Sequence, residues 1–462
     1  MMKKEPRRLD FGATPVICLL VLPLLYAEFF ALNPVPFDRW MQHLSNWSVS
    51  LSTRKFDGVE ESKSLKSVFR RLVRGEDRTE LEATGFACDS AIHSVVCVAN
   101  RPVRIDTLTM TVHAPSDQPM VPGKSVVQPY ARQEDDNLLK TITPVTIVHG
   151  NITPPACHYT HNVPAVIFSS SGFTGNLFHE FNEIIIPLFI TTRHFQSNVR
   201  FILVDYRPWF VSKYYRIFSH LSRYEVMNPA ANRSVHCFPG AIVGLKFHDN
   251  LAINSSEIPG GYSMPDFKEF LRKSYNLKIK NVSEIERPVL VLISRRKTRM
   301  FLNEDEMVGM MKELGFQVVV ATRPNRMSNL NKFSKVVNSG SVLIGAHGAG
   351  LANELFLSAG AVMVQVMPLG LNWAANAYFG EPAHGMGVQY LEYKIEPEES
   401  SLLDLYGQDH PIIVDPASIF AKGYQAARAV YVDQQNMKIN MVRFSETLVE
   451  ALRLTGYSAP SS

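Results

Sequence analysis

SVLIGAHGAGLANELFLSAGAVMVQV, residues 341–366, decides the fold. Ser341–Gly345 is a short apolar run bounded by a turn, which reads as a buried strand. The turn carries Gly345, Gly348 and Gly350 with His347 among them and no lysine. It leads into a helix that runs to about Leu357, and Ala361–Val366 is a second buried strand. Strand, glycine turn, helix and strand in this order form a right-handed β-α-β unit, which requires a parallel sheet covered on both faces. The glycines read G-x-x-G-x-G. That is neither the dinucleotide fingerprint nor the lysine-bearing phosphate loop.

The pattern extends outward from this unit. VLVLIS (Val289–Ser294) and QVVVA (Gln317–Ala321) are two more strands. Between them Asn303 caps a helix whose first turn holds Glu304, Asp305 and Glu306, and Gly315 ends it after Leu314. A further helix covers about Met327–Asn338. Upstream the idea repeats less cleanly. AVIFSS (Ala165–Ser170), VRFILVD (Val199–Asp205) and AIVGLKFH (Ala241–His248) read as strands, with one helix LFHEFNEIIIPLFITTRHF after the first. The chain is therefore expected to be α/β, with two facing Rossmann-like halves at residues 86–280 and 281–454. Ligands of such sheets bind outside the carboxyl ends of strands.

The 462 residues are 46% hydrophobic and 19% charged with a net charge of +4, too weak a bias to argue for nucleic acid. Lys3, Lys4, Arg7 and Arg8 precede an apolar run at residues 11–32, long enough to cross a hydrocarbon core. The expected layout is a cytosolic tail at 1–10, a signal anchor at 11–32, and the remainder facing a lumen. A cleaved signal peptide is the rival reading, opposed by the length of the run and the lack of a small-x-small cleavage site. Residues 33–85 read as a stem, with one short basic helix near Leu65–Arg74, and residues 455–462 as a tail. A luminal chain makes the sequons at Asn46, Asn151, Asn232, Asn254 and Asn281 glycosylation candidates. It also makes Cys88, Cys97, Cys157 and Cys237 disulfide candidates. Cys88–Cys97 is favoured for its short intervening segment, and Cys157–Cys237 then follows; free thiols are the alternative.

Three segments carry candidate chemistry. Around Gly345–Gly350, successive amides at a strand-to-helix turn can nest an anion, and His347 can donate to it. The bland alternative is a turn whose glycines merely let helix and strand pack closely. SRRKTR (Ser294–Arg299) leaves the strand VLVLIS at the same edge, so Arg295 and Arg296 read as a pyrophosphate clamp; a solvated basic loop is the alternative. In GFTGNLFHEFNE (Gly172–Glu183), His179 and Glu180 lie in the first turns of a helix and could deprotonate a hydroxyl. No metal-ligand spacing and no Asp-x-Asp triplet occurs in the sequence. Arginine, histidine and amides would then neutralise leaving phosphates without an obligatory metal.

The blocks CDSAIHSVVCVANRPVRID, VPAVIFSSSGFTGNLFHEFNEIIIPLFIT, VHCFPGAIVGLKFH, LVLISRRKTR and VLIGAHGAGLANELFLSAGAVMVQVMP, in this order, resemble glycosyltransferase family 61 in its plant branch. The resemblance covers about Cys88 to Leu454. It implies a two-domain GT-B-like enzyme that inverts the anomeric centre, takes a UDP-sugar and sits in the Golgi membrane as a single-pass type II protein. It implies pentosyl transfer onto xylan, with UDP-xylose the first expected donor and UDP-arabinofuranose the second. An N-glycan β-1,2-xylosyltransferase is one alternative. A non-catalytic partner in a complex with other glycosyltransferases is another. By position, Arg295 and His347, Gly348, Ala349 and Gly350 match the family's diphosphate elements, with Arg296 and Asn353 beside them. His179 and Glu180 match the block facing the acceptor. Asn372 and Trp373, after the fourth strand, are expected where a base or sugar could stack.

Overall fold

A computed structural model of the chain describes residues 65–458, apart from 91, 92, 117, 119, 120, 232 and 259. The expected cytosolic tail, the anchor, most of the stem, and the sequons Asn46 and Asn232 lie outside the described residues. Among the described residues no helix is long and apolar enough to cross a membrane.

The body is mixed α/β with three sheets. In the second half, β-strands Val289–Ile293, Gln317–Ala321, Val342–Ala346, Val362–Met367 and Gln389–Lys394 are all parallel. Numbered 1 to 5 in chain order, they lie in the order 2-1-3-4-5. Four of them are the continuous apolar runs of the sequence. The fifth, QYLEYK, is an edge strand with a mostly half-buried surface, so it lacks the apolar run that marks a buried strand. The strand order reverses between the first and third strands, and that crevice is where ligands of open parallel sheets sit. SRRKTR leaves one of these strands and the glycine turn leaves the other.

The first half departs from a second Rossmann-like unit. Strands Ala165–Ser169, Arg200–Val204 and Ala241–Val243 are parallel, as expected. They share a five-stranded sheet with an antiparallel hairpin of Phe86–Ser90 and Val95–Ala99. A six-stranded mixed sheet built from short strands between Val103 and Phe238 stands beside it. These strands alternate buried and half-buried residues over four to six positions, too short a pattern to stand out in the sequence. The third parallel strand stops at Gly244, where φ is +91° and a Cβ would lie 2.3 Å from the Val95 carbonyl. Folded structure also begins earlier than Phe86. Helices Leu65–Arg70 and Gly75–Thr84 pack on the body, with Phe69, Leu72, Val73 and Leu81 fully buried.

One large apolar core runs through both halves. Phe181 of the first half meets Phe356 of the second with ring centroids 5.8 Å apart. Two disulfides tie the first half. Cys88–Cys97 bridges the hairpin, and Cys157–Cys237 spans 80 residues of chain. Asn151, Asn254 and Asn281 are exposed.

Candidate active site

Strand Val289–Ile293 pairs in parallel with Val342–Ala346, Ile293 opposite Gly345, so the two loops at their carboxyl ends are neighbours. The glycines of the turn divide the work. A Cβ at Gly345 would lie 3.1 Å from Leu351 and 3.2 Å from Ile293, and one at Gly350 would lie 2.9 Å from Ile293. Both keep the helix close to the strand, as the packing alternative requires. Gly348 is different. Its φ is +146°, and a Cβ there would meet Nη1 of Arg295 at 2.9 Å and Nη1 of Arg299 at 3.0 Å. Two guanidinium groups thus converge on the bare backbone of Gly348.

Arg299 is pinned in place. Its Nη1 donates to the His347 carbonyl at 2.6 Å, and its backbone N–H donates to the Gln435 carbonyl at 2.6 Å. It adopts φ +53°, a left-handed conformation that costs a non-glycine residue free energy. Arg295 is held by its own loop, donating from Nε to the Thr298 carbonyl at 2.7 Å. Among the described residues no carboxylate stands at ion-pair distance from either arginine, and Nε of Arg299 is buried without a partner. Burial, with Arg295 next, pushes the Arg299 guanidinium down to about 10; burial lowers Arg295 as well. Asp433 offsets part of the Arg299 charge from beyond ion-pair distance, and two desolvated cations side by side without a directly paired carboxylate still favour an anion. The helix after the glycine turn is 3₁₀, Ala349–Phe356. Its first two N–H groups, those of Ala349 and Gly350, have no intrahelical acceptor and add to that preference.

His347 is buried at 8% exposure, with Nδ1 3.4 Å from Gln365 Oε1. Burial, and then Arg299, lowers its pKa to about 4, so the ring is neutral at ordinary pH and can act as a hydrogen-bond donor without charge. Arg296 does not join the seat. Its exposed side chain pairs with Glu304 at 3.0 Å, because that helix N-terminus gathers acids beside the loop. Asn353 is buried and holds the turn from behind, its amide donating to the Gly350 carbonyl at 2.8 Å. Asn372 and Trp373 lie in the helix Asn372–Ala375. The side chain of Trp373 is outside the described residues.

In the first half, His179 and Glu180 part company. Glu180 is fully buried, and its carboxylate accepts from Lys213, from Tyr214 at 2.6 Å and from the Gly175 N–H at 3.0 Å. Three donors hold the carboxylate inside the fold, and its full burial keeps it from a substrate. His179 remains partly exposed, with Nδ1 2.6 Å from Oε1 of Glu183, one helical turn on. Glu183 is itself fully buried, accepts from Tyr130 and has Arg132 at 3.7 Å. A carboxylate fixed on Nδ1 orients the ring and leaves Nε2 as the proton acceptor. Glu183 was legible in principle, since His and Glu at i and i+4 share a helix face.

The two sides are joined by contacts. Arg132 donates a hydrogen bond to Tyr378 of the second half. The Tyr378 ring stacks 6.5 Å from His347, whose carbonyl holds Arg299. Glu183 and Tyr378 lie in π-turns, Phe181–Ile185 and Asn376–Gly380. Pro187 and Pro382 follow the residues closing these turns; lacking an N–H, a proline cannot continue the ordinary ladder. The shift of register re-aims side chains, which is why such turns gather at functional sites.

An α/β protein with an arginine and amide seat at the switch point of a parallel sheet, linked through the rings of Tyr378 and Phe178 to an oriented histidine, has the equipment of a group-transfer enzyme with an anionic leaving group. The sequence model of the family described as Glycosyltransferase 61 matches residues 156–364. The chain is 33% identical to the Xylan glycosyltransferase MUCI21 of Arabidopsis thaliana, with 84% of each chain covered. It is 36% identical to the Beta-1,2-xylosyltransferase XYXT1 of Oryza sativa subsp. japonica, over 71% of this chain and 72% of the relative. It is 42% identical to the Alpha-1,3-arabinosyltransferase XAT2 of the same rice, over 71% of this chain, and spans 57% of that relative's length. The chain belongs to glycosyltransferase family 61, among relatives of plant xylan arabinosyl- and xylosyltransferases.

Proposed function

We propose that this protein is an inverting GT-B-like pentosyltransferase that moves xylose, or next arabinofuranose, from a UDP-sugar onto xylan. The observation that carries the reading is the pair Arg295 and Arg299 converging on Gly348, neither with a carboxylate at ion-pair distance among the described residues. Nε2 of His179 takes the proton of an acceptor hydroxyl while Glu183 holds Nδ1. The hydroxyl oxygen attacks C1 of the donor from the face opposite the diphosphate, the C1–O bond to the diphosphate breaks, and the electron pair leaves with UDP. Arg295, Arg299 and the amides of Ala349 and Gly350 stabilise that departing charge. The seat's own charge is cationic, so the reading takes a divalent metal as dispensable. Residence in the Golgi membrane, with residues 11–32 as the anchor, belongs to the same proposal.

The test is the full-length protein with a panel of UDP-sugars and xylohexaose, product detected by mass. A pentose added from UDP-xylose or UDP-arabinofuranose, and retained in EDTA, is the expected result. UDP binding without transfer from any donor overturns the enzymatic reading. Full loss in EDTA with rescue by Mn²⁺ overturns the metal-free one.

A further inference from the structure

The carboxyl edge of the first-half sheet holds a feature that the transfer reaction above does not use. Strands Ala165–Ser169 and Arg200–Val204 are adjacent and parallel, so the loops that follow them leave the same edge side by side. Three hydrogen bonds lace the loops together. Ser169 Oγ donates to Asp205 Oδ2 at 2.7 Å, Ser170 Oγ to the Asp205 carbonyl at 2.7 Å, and Arg207 Nη1 to Thr174 Oγ1 at 2.7 Å. Each loop carries an exposed aromatic ring on this stiffened base. Phe173 is 38% exposed, its ring 4.5 Å from that of His179. Trp209 is 45% exposed in the first turn of helix Pro208–Leu221. One turn further along that helix, Lys213 reaches Glu180, the residue next to His179. The helix face that bears Trp209 therefore borders the catalytic helix.

We infer that Phe173 and Trp209 form a stacking platform for the backbone of a neutral pyranose polymer, on the acceptor units next to the one that reacts. The inference rests on the acceptor being a saccharide chain, as proposed above. Large aromatic faces left in water at a cleft edge gain from covering, and the C–H face of an equatorially substituted pyranose matches them in shape and polarity. Lys213 is paired with Glu180, and the Arg207 guanidinium donates to the neutral Thr174 hydroxyl, so the base of the platform offers polar groups that suit the hydroxyls of a sugar. Phe173 touches the base and so sits near the reacting unit. Trp209, on the next strand's loop, is placed for a unit further along the chain.

The experiment compares Trp209→Ala and Trp209→Phe with the unaltered full-length protein. The ratio of kcat/KM for xylohexaose to that for xylobiose is read in one preparation, so partial misfolding cancels. The ratio is expected to fall about tenfold in Trp209→Ala through KM, in line with loss of one stacked ring, and to recover most of the way in Trp209→Phe. A wild-type ratio in Trp209→Ala overturns the platform. Calorimetric binding of xylohexaose, weaker in Trp209→Ala than in the unaltered protein, gives a readout free of turnover; equal binding overturns the inference. Absence of transfer by the unaltered protein from any UDP-sugar would instead count against the proposed function.

Discussion

Gly348→Ala separates a phosphate seat from a tight turn. The new methyl would stand 2.9 Å from Arg295 Nη1 and 3.0 Å from Arg299 Nη1, so contact distance requires the guanidinium groups to retreat by about 0.5 Å. Arg295 is held through Nε by the Thr298 carbonyl, so its retreat strains that bond. Arg299 is tied to the His347 carbonyl and can only tilt. The φ of +146° adds strain for any residue with a Cβ, on the order of 1–2 kcal/mol. Loss of one charge-assisted hydrogen bond to a diphosphate costs about 1.5–3 kcal/mol, or roughly tenfold to a hundredfold in affinity. The control is Gly345→Ala, whose methyl would press on Leu351 and Ile293 instead. UDP titration by calorimetry and a thermal melt on both variants give the comparison. Gly348→Ala should weaken UDP binding by tenfold or more with a small loss of stability. Gly345→Ala should lower the melting temperature and leave UDP affinity of the folded protein near wild type. Wild-type UDP affinity in a folded Gly348→Ala protein would refute the seat.

Three further outcomes follow from the same contacts. Arg295→Ala should lower kcat/KM by on the order of 10²-fold, because a transition-state contact to the leaving group is lost; wild-type rates would remove it from the site. His179→Ala and Glu183→Gln should each lower kcat by about 10²-fold or more. Glu180→Gln should instead destabilise the fold by about 3 kcal/mol, since it removes the fully buried carboxylate that pairs with the partly buried Lys213; denaturant melts beside initial rates distinguish the two classes. The last outcome concerns acid. His347 is neutral when folded, with its pKa lowered from 6.5 to about 4. Between those values the unfolded chain binds the extra proton, so stability rises with pH across this window and is lost on acidification. His194, lowered to about 3 by burial and then Arg71, acts in the same direction. His347→Gln should flatten the stability profile between pH 6.5 and pH 4 by up to about 3 kcal/mol; an unchanged slope in denaturant melts would contradict the assignment.

Much of the site was legible because its motifs sit at the ends of strongly patterned strands. A continuous apolar run, a glycine turn and a second run allow one parallel geometry. That geometry places Arg295 and Gly348 at one edge of the sheet. Local pattern does not separate Arg295 from Arg296, because a loop's periodicity does not tell which side chain turns inward. Glu304, ten residues after Ser294, draws Arg296 out of the seat. Nor does it choose between His179 and Glu180, adjacent on one helix; Lys213, Tyr214 and the Gly175 N–H hold the Glu180 carboxylate in the fold.

By itself the sequence determined the α/β class, the parallel second half, the family resemblance and the two loops that carry the chemistry. These depend on local periodicity and on spacing along the chain. Tertiary structure alone decided the rest. Arg299 faces the seat because Gln435, 136 residues on, captures its backbone N–H. Tyr378 is carried by a π-turn and meets Arg132 from the other half. The six-stranded sheet forms from strands too short to declare themselves singly. Each of these rests on a contact between segments distant in sequence, where the stabilising partner lies outside any local pattern.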